Sequence, residues 1–285
     1  MPSDAGSGQR RARRGRVGRL GLAMAITALF VVPLLWVVAA SLRAPDLPPP
    51  RSFEWLPDPV SGAAWERLFA LLPVGRYLAS SLLIAAIGVP VATIVASMAG
   101  FAMSRLPGPA RWALVIGSVV LLLVPATALW LPRFLLYRSV GLIDTPAALV
   151  APAVMGGSPL LVLLCFWACR RIPPELIDAA RLDGAGAFGT WRRVALPLIR
   201  PTLVVVATLA FLLFWGDFAS PLLYLRTDAW TTLPLGLRRL EQLDRNDWSV
   251  LMAGAVLLAL PAVLVFLAVQ HRSLRDDRLA DTIGG

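Results

Sequence analysis

Lysine is missing altogether: all 27 basic residues are arginine. Without an ammonium side chain there is no phosphate-binding loop of the G-x-x-x-x-G-K-[ST] kind and no Schiff-base chemistry. Histidine is nearly missing too, His271 being the single one. The two cysteines, Cys165 and Cys169, lie four apart in one apolar run, which is no disulfide framework. With the histidine far along the chain, they also fall short of the ligand set that metal sites need. Paired nucleophiles and bases are equally lacking. The chain is read as non-enzymatic, with no catalytic, cofactor-binding or metal-ligating residue. Charge is scarce as well, at 15% of residues against about a quarter in soluble domains. What fills the gap is apolar: 58% of residues are hydrophobic and the mean hydropathy is +0.72. Water is not the solvent for most of this sequence.

An apolar stretch of about 20 residues crosses a bilayer as a helix, because its backbone polar groups must be satisfied internally. Six such stretches are expected, near Leu20–Leu42, Leu82–Met103, Trp112–Leu131, Leu149–Cys169, Leu203–Phe218 and Val250–Val269. The fourth is interrupted by Gly156-Gly157-Ser158-Pro159 and the fifth is short, features that border cavities rather than lipid. The first has the basic flank of a secretory signal (Arg10, Arg11, Arg13, Arg14, Arg16, Arg19), but its apolar run is too long for one. It is read as an uncleaved anchor.

Orientation follows from the arginines. If both tails and the loops after spans two and four share a side, that side holds 17 Arg and 7 acids, and the remainder holds 10 of each. The positive-inside rule then puts both termini in the cytoplasm. The basic tail also suits anionic headgroups. The fold class expected is an all-α membrane protein of six transmembrane helices. Its segments are a basic tail (1–19), a first span (20–42), an external loop (43–79), a five-helix transmembrane core (80–270) and a cytoplasmic tail (271–285). Pro48-Pro49-Pro50 punctuates the external loop, and Trp55 and Trp65 suit a headgroup level.

The loop after span four, about 172–198, carries the strongest pattern. Pro174 suits a first helical turn, and Glu175 and Asp178 put negative charge near the positive end of the helix dipole. Asp178 can pair with Arg181 at i, i+3. Ala179 and Ala180 let another surface approach, and Gly184 is placed to end the helix in a left-handed conformation. A second helix follows, with Phe188, Trp191, Ala195 and Leu198 on one face and Arg192 and Arg193 off it. That pattern suits a helix along the membrane surface.

The run Glu175-Leu176-x-Asp178-Ala179-Ala180-x-x-Asp183-Gly184-Ala185, followed by Leu196-Pro197-Leu198, resembles the EAA loop of type I ABC importer permeases. Asp178 stands where that family has Glu. Gly141-Leu142-Ile143-Asp144-Thr145, Phe214-Trp215-Gly216-Asp217-Phe218 and Thr232-Leu233-Pro234-Leu235-Gly236-Leu237 are similar to segments of its carbohydrate, maltose permease-like branch. Gly216 replaces the usual Asn, and Asp276, Asp277 and Asp281 depart from the branch's typical tail. The resemblance implies a coupling helix in which Glu175, Asp178, Ala179, Ala180, Asp183 and Gly184 contact an ATP-hydrolysing subunit. It also implies two such subunits, a second permease that is a different chain, an extracytoplasmic solute-binding protein and membrane lipid as partners, no nucleic acid and no cofactor. The transported solute would be a sugar or oligosaccharide.

Ionisable residues at the edge of a span are functional candidates. Asp217 either accepts hydrogen bonds from a sugar hydroxyl or holds the neighbouring loop through Arg226, the loop role being preferred. Phe214, Trp215 and Tyr224 offer faces for sugar stacking or form an interface belt, the belt being preferred. A secondary transporter would need intramembrane charges that the central spans hardly carry. A polyamine-type ABC permease, whose loop tends to carry an extra residue before the Gly, is the nearer alternative.

Overall fold

The computed structural model describes residues 23–24, 26–47, 55–155, 157–243 and 247–283. The arginines at 10–19, Pro48-Pro49-Pro50 and Gly156 lie outside these, and so do the side chains of Asp276, Asp277 and Asp281. The described residues form helices and turns, with no strand among them. They divide into two compact units: Met1–Leu72 with Leu240–Leu257, and Pro73–Arg239 with Leu258–Gly285.

The first unit contains α1 (Ile26–Ala40) and α2 (Ala63–Leu71). Its anchor is ionic. The nearly fully buried Asp247 carboxylate meets Arg67 Nε at 2.7 Å and accepts the Asp46 N–H at 2.7 Å. Arg67 Nη1 also reaches the Asp46 carboxylate at 3.0 Å. Trp36 and Trp248 pack nearby, ring centres 5.3 Å apart.

The second unit is organised on α3 (Val74–Arg105). Between helices in lipid there is no hydrophobic drive, so association depends on close approach of small residues. Ser81, Ala85, Gly88, Ala92, Ala96 and Gly100 recur along α3 at intervals of three and four, which keeps them on one side. The helix packs mainly on α7 (Pro159–Arg170), then on α10 (Arg200–Trp215) and α6 (Pro146–Val154). At Gly100 a Cβ would lie 2.6 Å from the Phe166 nitrogen and 2.7 Å from Cys165 Cβ. Cys165 and Cys169 are thus buried packing residues among apolar neighbours.

The expected spans are corrected in three places. The helix of span two begins at Val74, eight residues before Leu82. The stretch Trp112–Leu131 is not one helix: α4 (Gly108–Leu123) stops before Pro125, and the chain turns by 95° into a helical turn and α5 (Trp130–Ser139). Proline supplies no N–H to continue α4, which is reason enough for the stop. Span five is Arg200–Trp215, entered through an 88° corner from α9 (Ala187–Leu198). Among the described residues three segments are long and apolar enough to cross a membrane: Val74–Arg105, Pro146–Arg170 and Trp248–His271. The last lies in α12 (Trp248–Ile283). In Pro146–Arg170 the expected interruption falls between α6 and α7, where Gly157 N–H donates to the Pro152 carbonyl at 2.7 Å.

Candidate functional site

Two features of the second unit carry the expected site residues. One is the elbow formed by α8 (Pro174–Leu182) and α9. Pro174 opens α8, where a missing N–H costs nothing. The helix closes on a Schellman pair: Gly184 N–H donates to Arg181 O and Ala185 N–H to Ala180 O, each at 2.9 Å. Gly184 has φ +80°, and a Cβ there would meet nothing within 4 Å. Conformation alone therefore asks for glycine. Asp178 pairs with Arg181 at 3.4 Å. Ile177 is buried with Phe101, Cys169, Ile172 and Trp191, which pins α8 by its inner side. Glu175, Asp178, Ala179, Asp183 and Gly184 are left together on the exposed side, with Ala180 half-buried. Leu176 and Leu182 are also exposed, Leu182 by 89%. Carboxylates beside bare leucines make a surface suited to a protein partner.

The second helix of the elbow departs from the expected pattern. Trp191 and Ala195 face inward, but Phe188 and Leu198 are exposed. For Leu198 the cause is a π turn over Trp191–Ala195, in which Leu196 N–H reaches back to Trp191 O and the wider turn shifts the helical phase. Phe188, before that turn, still packs on Trp191, ring centres 5.2 Å apart.

The other feature is a cavity of about 470 Å³ between α3, α6, α7 and α10. Ala92, Ala96, Leu161, Val162 and Ala210 line its apolar part. Its polar groups are Arg133, Ser158, Asp217 and Ser220, with Trp130 among them. The size and the few polar groups on an apolar wall fit a small-molecule site. Of the residues expected on a solute path, Phe214 and Asp217 line this cavity. Trp215 and Tyr224 do not. Trp215 is buried, donates its indole N–H to Leu258 O at 2.8 Å and stacks on Phe211. Tyr224 is buried edge-on against Tyr137, centres 5.1 Å apart. Trp130 and Arg133 were missed. Pro125 was the available sign, since a break there takes Trp130 out of the expected span and puts it with Arg133 on a separate helix.

The preferred role for Asp217 is also corrected. Its Oδ1 accepts the Ser220 N–H at 3.0 Å and so caps α11 (Ala219–Tyr224), while the Arg226 guanidinium lies over the Phe134 ring. The loop is held by Asp144 instead. From a left-handed backbone (φ 65°) its Oδ1 accepts the N–H groups of Arg226 and Thr227 and the Thr227 hydroxyl, at 2.9–3.0 Å. The backbone N–H groups of Thr227 and Arg226 hold this carboxyl below the usual carboxylate range.

Sequence and fold both match known proteins. A family model described as "binding-protein-dependent transport system inner membrane component" matches residues 88–275. The arabinooligosaccharides transport system permease protein AraQ of Halalkalibacterium halodurans is 29% identical over 249 residues, 86% of this chain and 88% of its own. The trehalose transport system permease protein SugB of Mycobacterium tuberculosis is 28% identical, over 85% of this chain and 88% of its own. In a crystal structure of a bacterial ABC transporter that imports the acidic polysaccharide alginate, one chain shares the fold. Its TM-score is 0.71 at 20% identity, over 95% of this chain and 99% of that one.

Proposed function

The chain belongs to the binding-protein-dependent transport inner membrane components, and on that footing we propose that it is the permease subunit of an ATP-driven importer for a sugar or oligosaccharide. The elbow is the observation that carries this reading. A short helix, pinned through Ile177 and stopped at Gly184, offers carboxylates and bare leucines outward at the foot of the spans. Two ATP-binding subunits, a second permease of different sequence and an extracytoplasmic solute-binding protein complete the assembly. Six helices cross the bacterial inner membrane with both termini in the cytoplasm, the orientation that the arginine distribution favours. The segments 1–19, 20–42, 43–79, 80–270 and 271–285 are tail, first span, external loop, core and tail.

Alternating access needs a motor whose ATP-bound state prefers one arrangement of the spans, since a partner with equal affinity for both shifts nothing. The elbow transmits that preference. Glu175, Asp178 and Asp183 supply charge at the contact, and Ala179 and Ala180 supply clearance. In the cavity, Arg133 donates and Asp217 accepts hydrogen bonds with solute hydroxyls, and Trp130 offers a ring face. The names of the relatives favour carbohydrate over the polyamine alternative.

The test is uptake alongside ATP hydrolysis in reconstituted transporter. Gly184→Pro and Asp178→Arg should insert normally, keep hydrolysis and lose uptake. Wild-type uptake in both variants would defeat the coupling assignment.

A further inference from the structure

Behind the elbow, a second cavity of about 300 Å³ is lined by Met98, Phe101, Ala102 and Arg105 of α3, Ile177 and Arg181 of α8, and part of α9. The four α3 residues stand at i, i+3, i+4 and i+7, so they form one trough rising about 10 Å up the helix. Its lower end opens where Met98 and Ala102 are exposed, on a segment long and apolar enough to cross the membrane. Its upper end is Arg105, the last residue of α3 before Leu106 and Pro107 turn the chain. The trough is therefore apolar at acyl-chain depth and cationic where the membrane ends.

The cationic end is not satisfied from within. Arg105 spends Nη2 on the Cys169 carbonyl at 2.8 Å and lies over the Phe101 ring, but its Nε is buried and has no hydrogen-bond partner. Trp191 Nε1, in the same wall, is also buried and unpartnered. Arg170 and Arg181 lie within electrostatic reach of Arg105, and Asp178 is the carboxylate opposing them. Asp178 already pairs with Arg181. A surplus of positive charge with spare donors, above an apolar channel open to lipid, matches one chemistry: a phosphodiester on a hydrocarbon tail.

We propose that this trough seats one anionic phospholipid, its phosphate on Arg105 and Arg181 and the start of an acyl chain along Met98 and Ala102. The inference rests on the membrane placement of the elbow and not on the solute. A bound lipid would brace α8 and α9 against α3 from behind, leaving the outer side of α8 free.

The assembled transporter, in nanodiscs of mixed phosphatidylglycerol and phosphatidylcholine, is released into native mass spectrometry and its retained lipid counted. Wild type should keep phosphatidylglycerol in preference to phosphatidylcholine. Arg105→Gln should lower that retention about tenfold, the loss of a charge-assisted contact at a partly exposed site. Ala102→Phe fills the trough from an exposed position and keeps the arginine, so it should displace the lipid even if Arg105→Gln inserts poorly. Arg192→Gln removes an exposed charge outside the trough and should change nothing. Equal retention of both lipids, or an equal drop with Arg192→Gln, would overturn the proposal. So would displacement of the lipid by inorganic phosphate with Ala102→Phe inert, since that identifies a soluble anion. None of these readouts depends on uptake, so their failure leaves the importer reading to its own test.

Discussion

Gly100 and Gly88 lie on the same side of α3, and replacing each with alanine should have different consequences. At Gly100 the new Cβ would meet the Phe166 nitrogen at 2.6 Å, Cys165 Cβ at 2.7 Å and the Cys165 carbonyl carbon at 2.8 Å. Comfortable contact needs about 3.5–4.0 Å, so α7 must retreat by about 1 Å. The obstacles are backbone and a Cβ, and no rotamer change relieves them. Overpacking of this kind costs about 3 kcal/mol, against which alanine returns about 1 kcal/mol of helix propensity. The net is roughly 2 kcal/mol of destabilisation, or about 4–8 °C in melting temperature. At Gly88 the new Cβ would meet three ring atoms of Phe214 at 2.6–2.8 Å, the far end of a side chain that can swing. Propensity and ring displacement then nearly cancel, to within about 1 kcal/mol. The displaced ring has the cavity beside it, so Gly88→Ala should reduce uptake with little change in melting. Tryptophan fluorescence melts of detergent-purified protein, paired with uptake, separate the two. If Gly100→Ala melts at or above wild type, the account of the α3–α7 seam is wrong.

Asp247→Ala should destabilise the first unit by about 3 kcal/mol, the lower end for breaking a buried ion pair because Arg67 keeps Asp46 and some solvent. Asp247→Asn should cost less, and denaturant melts of the two variants check the order. Asp144 offers a pH test. Its folded carboxyl lies below the usual range, so its contribution is complete above the ordinary carboxylate value and is lost only as pH falls through the lower folded one. Tryptic cleavage after Arg226 should therefore not vary between about pH 6 and 8 in wild type. It should rise in Asp144→Ala, and rise less in Asp144→Asn, because Asn also tolerates the left-handed backbone.

The sequence showed the elbow more clearly than the cavity, for a physical reason. The start, stop and ion pair of α8 are local: Pro174, Gly184 and the Asp178–Arg181 spacing act within ten residues of one another. The cavity is assembled from α3, α5, α6, α7 and α10, and which side of each faces it depends on packing that hydropathy does not encode. Hydropathy also has no direction, so the apolar run through Leu131 concealed the corner after Leu123. Asp217 was assigned the wrong partner because Arg226 is near it in sequence. The loop's free donors were backbone N–H groups, and Asp144, 82 positions from Arg226, reached them. Leu198 left the face that Trp191 and Ala195 share because the turn before Pro197 widened, which a fixed 3.6-residue period cannot anticipate.

The corner between α9 and α10 has a mechanical meaning. Ile199 N–H bonds to Ala195 O and Leu203 N–H to Ile199 O, each at 3.0 Å, so the hydrogen-bonded ladder passes through the 88° change of direction. A corner bonded on both sides behaves as a bell crank. Its arms are about 18 and 24 Å long, from 12 and 16 residues at about 1.5 Å each. Pushing the free end of α9 by about 2 Å swings the corner by roughly 6° and carries the far end of α10 about 2.7 Å sideways. The stroke leaves larger than it entered, turned from a thrust along α10 into a sweep across it.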